Sequence, residues 1–337
     1  MKVLVTGAAG FIGAFLCKKL LETTNSQIVG VDNLNDYYDV SLKEARLKML
    51  ENKNFTFIKG DISDKAFIDN LFKEYKFDIV VNLAAQAGVR YSIDHPNIYI
   101  QSNIIGFYNI LEACRYNPVK HLVYASSSSV YGSNEKVPYS VEDKVDNPVS
   151  LYAATKKSDE LLAHAYSKLY NIPTTGLRFF TVYGPMGRPD MAYFSFTNKL
   201  IEGETIEIFN YGNCKRDFTY IDDIVEGIIR VMNKAPEKKY GEDGLPIPPY
   251  KLYNIGNNHP ENLLDFVNIL AEELINAGVL PKDFNIKGHM KLVPMQKGDV
   301  PITYADTSAL EKDFGYKPST SLREGLRQFA EWYFLSK

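Results

Sequence analysis

An α/β fold built on a doubly wound parallel sheet is what this sequence predicts, and three observations predict it. Short, fully apolar runs alternate with helical patterns through the first half of the chain, glycines follow the first run without a gap, and an acid closes the second. Strands that are apolar on both faces belong to parallel sheets covered by helices on either side. In order, strands are expected near 2–6, 27–32, 55–59, 78–82, 120–126 and 174–179, with helices near 11–23, 41–51, 65–75, 95–116 and 149–170. After Phe180 the pattern turns irregular, with more Pro, Gly and aromatic residues. The expected division is residues 1–180 for the sheet domain and mainly 181–337 for a smaller mixed α/β domain, with some later segments returning to the sheet. Residues 234–251, rich in Pro, Gly and charge, read as a surface loop.

The first strand is the β-branched run from Lys2 to Thr6, and Gly7, Gly10 and Gly13 follow it at three-residue spacing around Phe11 and Ile12. Gly7 permits a turn that a Cβ would block. Gly10 lets backbone N–H groups approach a pyrophosphate, and Gly13 lets the next helix pack close to the sheet. The second strand ends in Asp32, nineteen residues after Gly13, where a carboxylate can accept hydrogen bonds from an adenosine ribose. Strand, glycines, helix, strand and acid in that order specify a Rossmann dinucleotide site. No Arg or Lys follows Asp32 to pair with a 2′-phosphate, so NAD is expected rather than NADP. Ligands on such sheets sit at the carboxyl ends of the strands.

Composition narrows the partners. A formal charge of −3 over 337 residues gives no electrostatic reason to expect nucleic acid or an acidic membrane. Cys17, Cys114 and Cys214 lack metal-ligand spacing and read as small apolar residues in a reducing compartment. The first strand begins straight after Met1, leaving no room for a secretory leader, and no apolar run approaches the ~20 residues of a membrane span. A soluble cytoplasmic protein is expected.

Two constellations carry chemistry. Tyr152 and Lys156 lie four apart at the start of a helix, which puts both on one face. A free tyrosine, with a pKa near ~10, is a poor base at neutral pH, and a neighbouring ammonium and a positive nicotinamide ring both favour phenolate. A tyrosine so placed takes a proton from a sugar hydroxyl while NAD takes the hydride. Upstream, Ser126, Ser127, Ser128 and Ser129 end the fifth strand. A hydroxyl there can donate to an oxygen becoming a carbonyl and accept again on the return.

Gly7-x-x-Gly10-x-x-Gly13, Ser127 four residues before Tyr131, and Tyr152-x-x-x-Lys156 resemble the extended short-chain dehydrogenase/reductase family over nearly the whole chain. Within it the chain is most similar to the nucleotide-sugar 4-epimerases of the UDP-glucuronate type. The resemblance implies Ser127, Tyr152 and Lys156 as the catalytic set. It implies cofactor contacts from Asp32, Asn33, Asp61, Ile62, Ala84, Ala85 and Asn103 as well as Lys156, and it implies no metal. It also implies a UDP-sugar substrate and a homodimer formed by pairing the helices near 95–116 and 149–170. Family dehydratases carry Asp and Glu where this chain has Ser128 and Ser129, and the decarboxylases carry Glu at the second position. Neutral serines serve poorly in water elimination, which needs a proton donor and a base near C5 and C6.

The expected sugar rests on Thr181 and Arg188, in a segment of the glucuronate type where UDP-galactose epimerases usually have Asn in place of Thr181. A guanidinium can hold a carboxylate through two charge-assisted hydrogen bonds, each about 1.5–3 kcal/mol. The segment Asp32 to Asp39, with Tyr37 and Tyr38, is similar to glucuronate epimerases too, with loop packing as the expected role of the tyrosines. For the UDP end the resemblance implies Arg216 on pyrophosphate, Gln296 and Asp299 on phosphate and ribose, and Asn198, Lys199 and Phe209 around uracil. Arg90, Tyr91 and Ser92 are expected to face the sugar. The alternatives are a UDP-glucose/UDP-galactose or UDP-N-acetylhexosamine epimerase, a UDP-glucuronate decarboxylase, and a non-catalytic NAD-binding sensor.

Overall fold

The computed structural model describes residues 1–295 and 301–336. The first half alternates as predicted: β1 (Lys2–Thr6), α1 (Phe11–Thr23), β2 (Gln27–Asp32), α2 (Val40–Lys48), β3 (Phe55–Lys59), α3 (Lys65–Tyr75) and β4 (Ile79–Asn82). The helix expected near 95–116 is interrupted. It begins as two single turns, α4 (Tyr91–Asp94) and α5 (Pro96–Tyr99), and passes through a π-helical stretch, Ile100–Ile105, into α6 (Gly106–Tyr116). Pro96 opens α5, a position where the missing N–H costs nothing. Wide turns of this kind recur at functional sites, and this one carries Asn103. Then come β5 (His121–Ser127), α7 (Leu151–Tyr170) and β6 (Thr174–Phe179). Ser150 caps α7 by accepting from the Ala153 amide at 3.1 Å, and Asn171 ends it in the left-handed conformation.

The second half contributes β7 (Thr181–Tyr183), α8 (Ala192–Ile201), β8 (Ile206–Ile208), β9 (Lys215–Tyr220) and α9 (Ile221–Met232). It continues with β10 (Lys239–Tyr240), β11 (Pro246–Ile247), β12 (Tyr250–Ile255), β13 (Pro260–Asn262) and α10 (Leu263–Asn276). β14 (Met290–Leu292), β15 (Ile302–Thr303), α11 (Ser308–Phe314) and α12 (Leu322–Leu335) complete it. The segment 234–251 is not wholly loop. Lys239–Tyr240 pairs antiparallel with Pro246–Ile247 around a turn in which Gly244 has φ +75°, and Tyr250 already belongs to a strand.

Among the described residues the central sheet has seven parallel strands in the order β12-β6-β5-β4-β1-β2-β3. The later segment that returns to it is β12, registered against β6 from Tyr250 opposite Thr174 to Ile255 opposite Phe179. The strand order reverses between β1 and β4, which opens a crevice over their carboxyl ends. Successive side chains of β1 feed opposite layers: Val3 and Val5 join a cluster with Leu16, Leu177, Phe266 and Phe329, whereas Leu4 packs with Val29, Phe72 and Leu122. The first cluster runs on into the second half of the chain. There α9 buries Ile221, Ile224, Val225, Ile228 and Val231 on one face and packs beside α1. Cys17, Cys114 and Cys214 are free and buried, filling space as small apolar residues. Among the described residues no helix is long and apolar enough to cross a membrane.

Candidate active site

The glycine turn is closed by its own backbone. Gly7, at φ +72°, donates to the Val31 carbonyl at 2.7 Å, and Gly10 donates to the Gly7 carbonyl at 2.9 Å. A Cβ on Gly13 would fall 2.1 Å from the Gly7 oxygen, so the approach of α1 to the turn requires glycine there. Asp32, at the end of β2, accepts from the Ala9 amide at 3.2 Å and the Leu34 amide at 2.9 Å. Gly7, Gly10, Phe11, Ile12, Gly13, Asp32, Asn33, Asp61, Ile62, Ala84 and Ala85 all line one cleft across the switch point. Donors at the turn, a carboxylate at the second strand end and an apolar shelf at Ile62 suit a dinucleotide.

Several details of this end depart from simple reading. A cation does reach Asp32: Lys43, from α2, places Nζ 3.9 Å from its carboxylate and donates to the Asn35 carbonyl and side-chain oxygens at 2.8 and 2.7 Å. It lies eleven positions after the acid, so it is invisible as a neighbour in sequence. Burial pushes the Asp61 carboxyl up, but hydrogen bonds from Asn33 and Ser63 outweigh this and hold it below the usual range. Asn103 is 1 % exposed and its amide is engaged by protein. Nδ2 donates to the Gln86 carbonyl and Thr155 hydroxyl, and Oδ1 accepts from the Gln86 amide. It therefore stands behind the cleft wall, fixing the segment after β4.

Ser127, Tyr152 and Lys156 line the same cleft. The start of α7 points both Tyr152 and Lys156 toward the end of β5. Lys156 Nζ donates to the Ala125 carbonyl at 2.9 Å and to Asp159 at 3.3 Å, which fixes a buried ammonium beside the serine-rich strand end. Ser127 Oγ accepts from the Ser129 amide at 3.1 Å and keeps its own proton available to donate. Ser128 and Ser129 form the short turn that follows and are partly exposed. Behind them lies a buried network absent from the sequence reading. Glu160 takes a fork of hydrogen bonds from Arg178 at 2.8 and 2.9 Å and a third from Ser126 at 2.7 Å. Tyr131 links Arg178 to Asn254 on β12.

The expected sugar end is assembled from four loops. Arg90 lies over the ring of Phe209 at 5.4 Å, joining the segment after β4 to the turn after β8. Tyr91 packs its ring against Tyr37 at 4.7 Å and against His95 at 4.0 Å, and Ser92 is buried with its hydroxyl on the Val89 carbonyl. Thr181 begins β7, opposite Phe218. Arg188 lines the cleft with Tyr152, but its Nε and Nη2 edge is held by Asp190 at 3.0 and 2.5 Å. Asn198 accepts from the Tyr333 hydroxyl at 2.7 Å. Arg216 donates to the Lys215 and Pro301 carbonyls. Gln296 and Asp299 lie outside the described residues.

Comparison with known proteins agrees with this geometry. Residues 3–256 match the model of the NAD dependent epimerase/dehydratase family. Protein CapI of Staphylococcus aureus is 51% identical over 339 residues, covering 99% of this chain and 98% of that protein. UDP-glucuronate 4-epimerase 4 of Arabidopsis thaliana is 48% identical, covering 98% of this chain and 75% of the relative. Among solved structures, UDP-glucuronic acid 4-epimerase from Bacillus cereus, in complex with UDP-glucuronic acid and NAD, superposes with a TM-score of 0.87. It is 33% identical and both chains are covered in full. With a glycine turn, a strand-end acid and a Tyr-Lys pair opening on one cleft, the chain belongs to the NAD dependent epimerase/dehydratase family.

Proposed function

We propose that this chain is a NAD-dependent epimerase that inverts C4 of a UDP-sugar and interconverts UDP-glucuronate and UDP-galacturonate. The observation that carries it is the convergence of Ser127, Tyr152, Lys156 and Arg188 on the cleft that holds the glycine turn. Similarity to UDP-glucuronate 4-epimerases over almost the whole chain supports the same reading.

Bound NAD supplies the hydride acceptor at C4 and, once reduced, the donor. The chain's residues handle the proton and the positioning. Tyr152 Oη, deprotonated when it acts as the base, takes the proton of the sugar 4-hydroxyl and returns it to the same oxygen after the 4-keto sugar has turned its other face. Ser127 donates to that oxygen as it becomes a carbonyl. Lys156, one helical turn after Tyr152 and fixed by Ala125 and Asp159, keeps a positive charge beside the strand end that carries Ser127. Arg188 and Thr181 face the C6 carboxylate, Arg90 and Tyr91 the sugar, and Asn198, Phe209 and Arg216 the UDP moiety, while Ser92 is buried and holds its turn through the Val89 carbonyl.

A homodimer fits the apolar side chains left uncovered on the expected helices: Ile98, Ile105, Tyr108, Leu161 and Leu169 are all exposed, Leu169 by 69%. Leu161→Asp should convert a dimer to a monomer in sedimentation, and an unchanged mass would remove α7 from the interface. A cytoplasmic location matches the use of a nucleotide sugar and NAD. The functional test is incubation with UDP-glucuronate without added NAD, followed by separation of the products. UDP-galacturonate with no net NADH supports the proposal; UDP-pentose would make the protein a decarboxylase; absence of turnover even with NAD would redirect the search to neutral UDP-hexoses.

A further inference from the structure

Arg46 is among the largest fully buried side chains of the protein, at 0% exposure. All five of its N–H donors are engaged. Nε and Nη2 share the Met186 carbonyl at 3.0 and 2.6 Å, and Nη2 also reaches the Gly187 carbonyl at 3.1 Å. Nη1 donates to the Ala9 carbonyl at 3.1 Å and to the Tyr38 hydroxyl at 2.7 Å. Every acceptor is neutral. A buried guanidinium held without a carboxylate is a fixed fork, and this one joins the cofactor turn, the 33–39 loop and the segment that leads to Arg188.

That segment is held in a demanding shape. Met186 has φ +54°, unusual for a residue with a Cβ, and a Cβ on Gly187 would fall 1.5 Å from the Tyr193 hydroxyl. Three residues after Gly187, Asp190 grips the outer edge of Arg188, and Asp190 in turn accepts from the Tyr37 hydroxyl at 3.1 Å. The 33–39 loop thus secures Arg188 twice, through Tyr38 and Arg46 on one side and through Tyr37 and Asp190 on the other. The same loop starts at Asp32.

We propose that Arg46, Tyr38, Tyr37 and Asp190 are positioning residues that aim Arg188 at the C6 carboxylate of the sugar. This rests on the role given to Arg188 above. With its Nε edge occupied by Asp190, Arg188 presents its Nη1 side to substrate, and the strap ties that orientation to the cofactor turn. None of the four is assigned a part in proton or hydride transfer, so their loss acts on sugar binding and on retention of the carboxylate.

The test compares Arg46→Lys, Asp190→Asn, Tyr37→Phe and Arg188→Ala in the NAD-loaded protein. It reads KM and kcat for UDP-glucuronate, bound NAD, and the share of turnover ending as carbon dioxide and UDP-pentose. Asp190→Asn and Arg46→Lys should each raise KM about tenfold, the scale of one charge-assisted hydrogen bond. They should increase the pentose share while kcat stays within about threefold and NAD stays bound, and Tyr37→Phe should shift both readouts less. Asp190→Asn sits on a half-exposed loop and keeps the test open if Arg46→Lys fails to fold. If Arg188→Ala changes KM and pentose share while the other three do not, the strap is refuted and the role of Arg188 stands. A lower KM in Asp190→Asn would make Asp190 a competitor of substrate and overturn the proposal. If Arg188→Ala itself changes neither readout, the carboxylate role of Arg188 fails and the strap with it.

Discussion

Asp159 offers the sharpest prediction, because its environment gives both a sign and a size. Its carboxyl is 2% exposed on α7, one oxygen lies 3.3 Å from Lys156 Nζ, and the other has no hydrogen-bond partner. Glu160 adds a like charge beside it, and Tyr124 packs close enough to feel its charge. Burial pushes the Asp159 pKa from 3.8 up to about 7, with Lys156 only partly opposing. Below pH 3.8 the group is neutral in folded and unfolded chains alike, so no penalty exists. Above that the unfolded chain ionises first while the folded chain keeps its proton until about pH 7. At 1.36 kcal/mol per unit, stability falls across that interval by an amount on the order of 4 kcal/mol, more than half of it between pH 5 and pH 8. An asparagine carries no such penalty. Asp159→Asn should therefore gain on the wild type as pH rises, read as the difference in urea midpoints at pH 5, 6.5 and 8 with cofactor held constant. Parallel stability curves, or a wild type that gains on the variant with rising pH, would refute the argument.

Three further outcomes follow from the site. Tyr152→Phe should lower turnover by roughly 10²–10⁴-fold, the usual scale for a general acid–base group, with NAD still bound; near-normal turnover would remove the tyrosine from proton transfer. Gly13→Ala forces a Cβ to within 2.1 Å of the Gly7 oxygen, so the turn must open and NAD should no longer accompany the purified protein. Stoichiometric NAD on that variant would contradict the turn's role. Glu160→Ala leaves the 1 % exposed Arg178 guanidinium without its anion and should cost about 3–5 kcal/mol in chemical unfolding, whereas a loss under about 1 kcal/mol would show that Arg178 finds another partner.

What the sequence made legible is what one turn of backbone can enforce. Gly7, Gly10 and Gly13 lie within a single strand–turn–helix, and Tyr152 and Lys156 within one turn of α7, so their spacing alone places them. Lys43 at Asp32, Arg46 at Met186 and Asp190 at Tyr37 depend on how separate loops meet, in the last two cases across 140 and 153 residues, and no periodicity encodes that. Tyr250–Ile255 was hidden for a related reason. It follows Pro248 and Pro249 in a polar stretch, and its burial comes from pairing with β6 rather than from a strongly apolar pattern of its own. Asn103 shows the converse. Its position near the cofactor cleft follows from the resemblance, but only the structure shows its amide committed to Gln86 and Thr155.

The site is thus supported in two different ways, and the difference has a functional consequence. Tyr152 and Lys156 stand on a capped helix of 20 residues whose backbone sets their spacing, with the Ala125 carbonyl of β5 holding the ammonium. Arg188 stands on a loop whose shape is imposed by side chains reaching in from other segments. Changes in those supporting side chains can therefore redirect Arg188 while the proton-transfer pair stays in place. Choice of sugar and retention of its carboxylate are, on this geometry, separable from C4 chemistry. A chain of this fold could change its sugar by substitutions around Met186–Asp190 and the 33–39 loop alone, with α7 untouched.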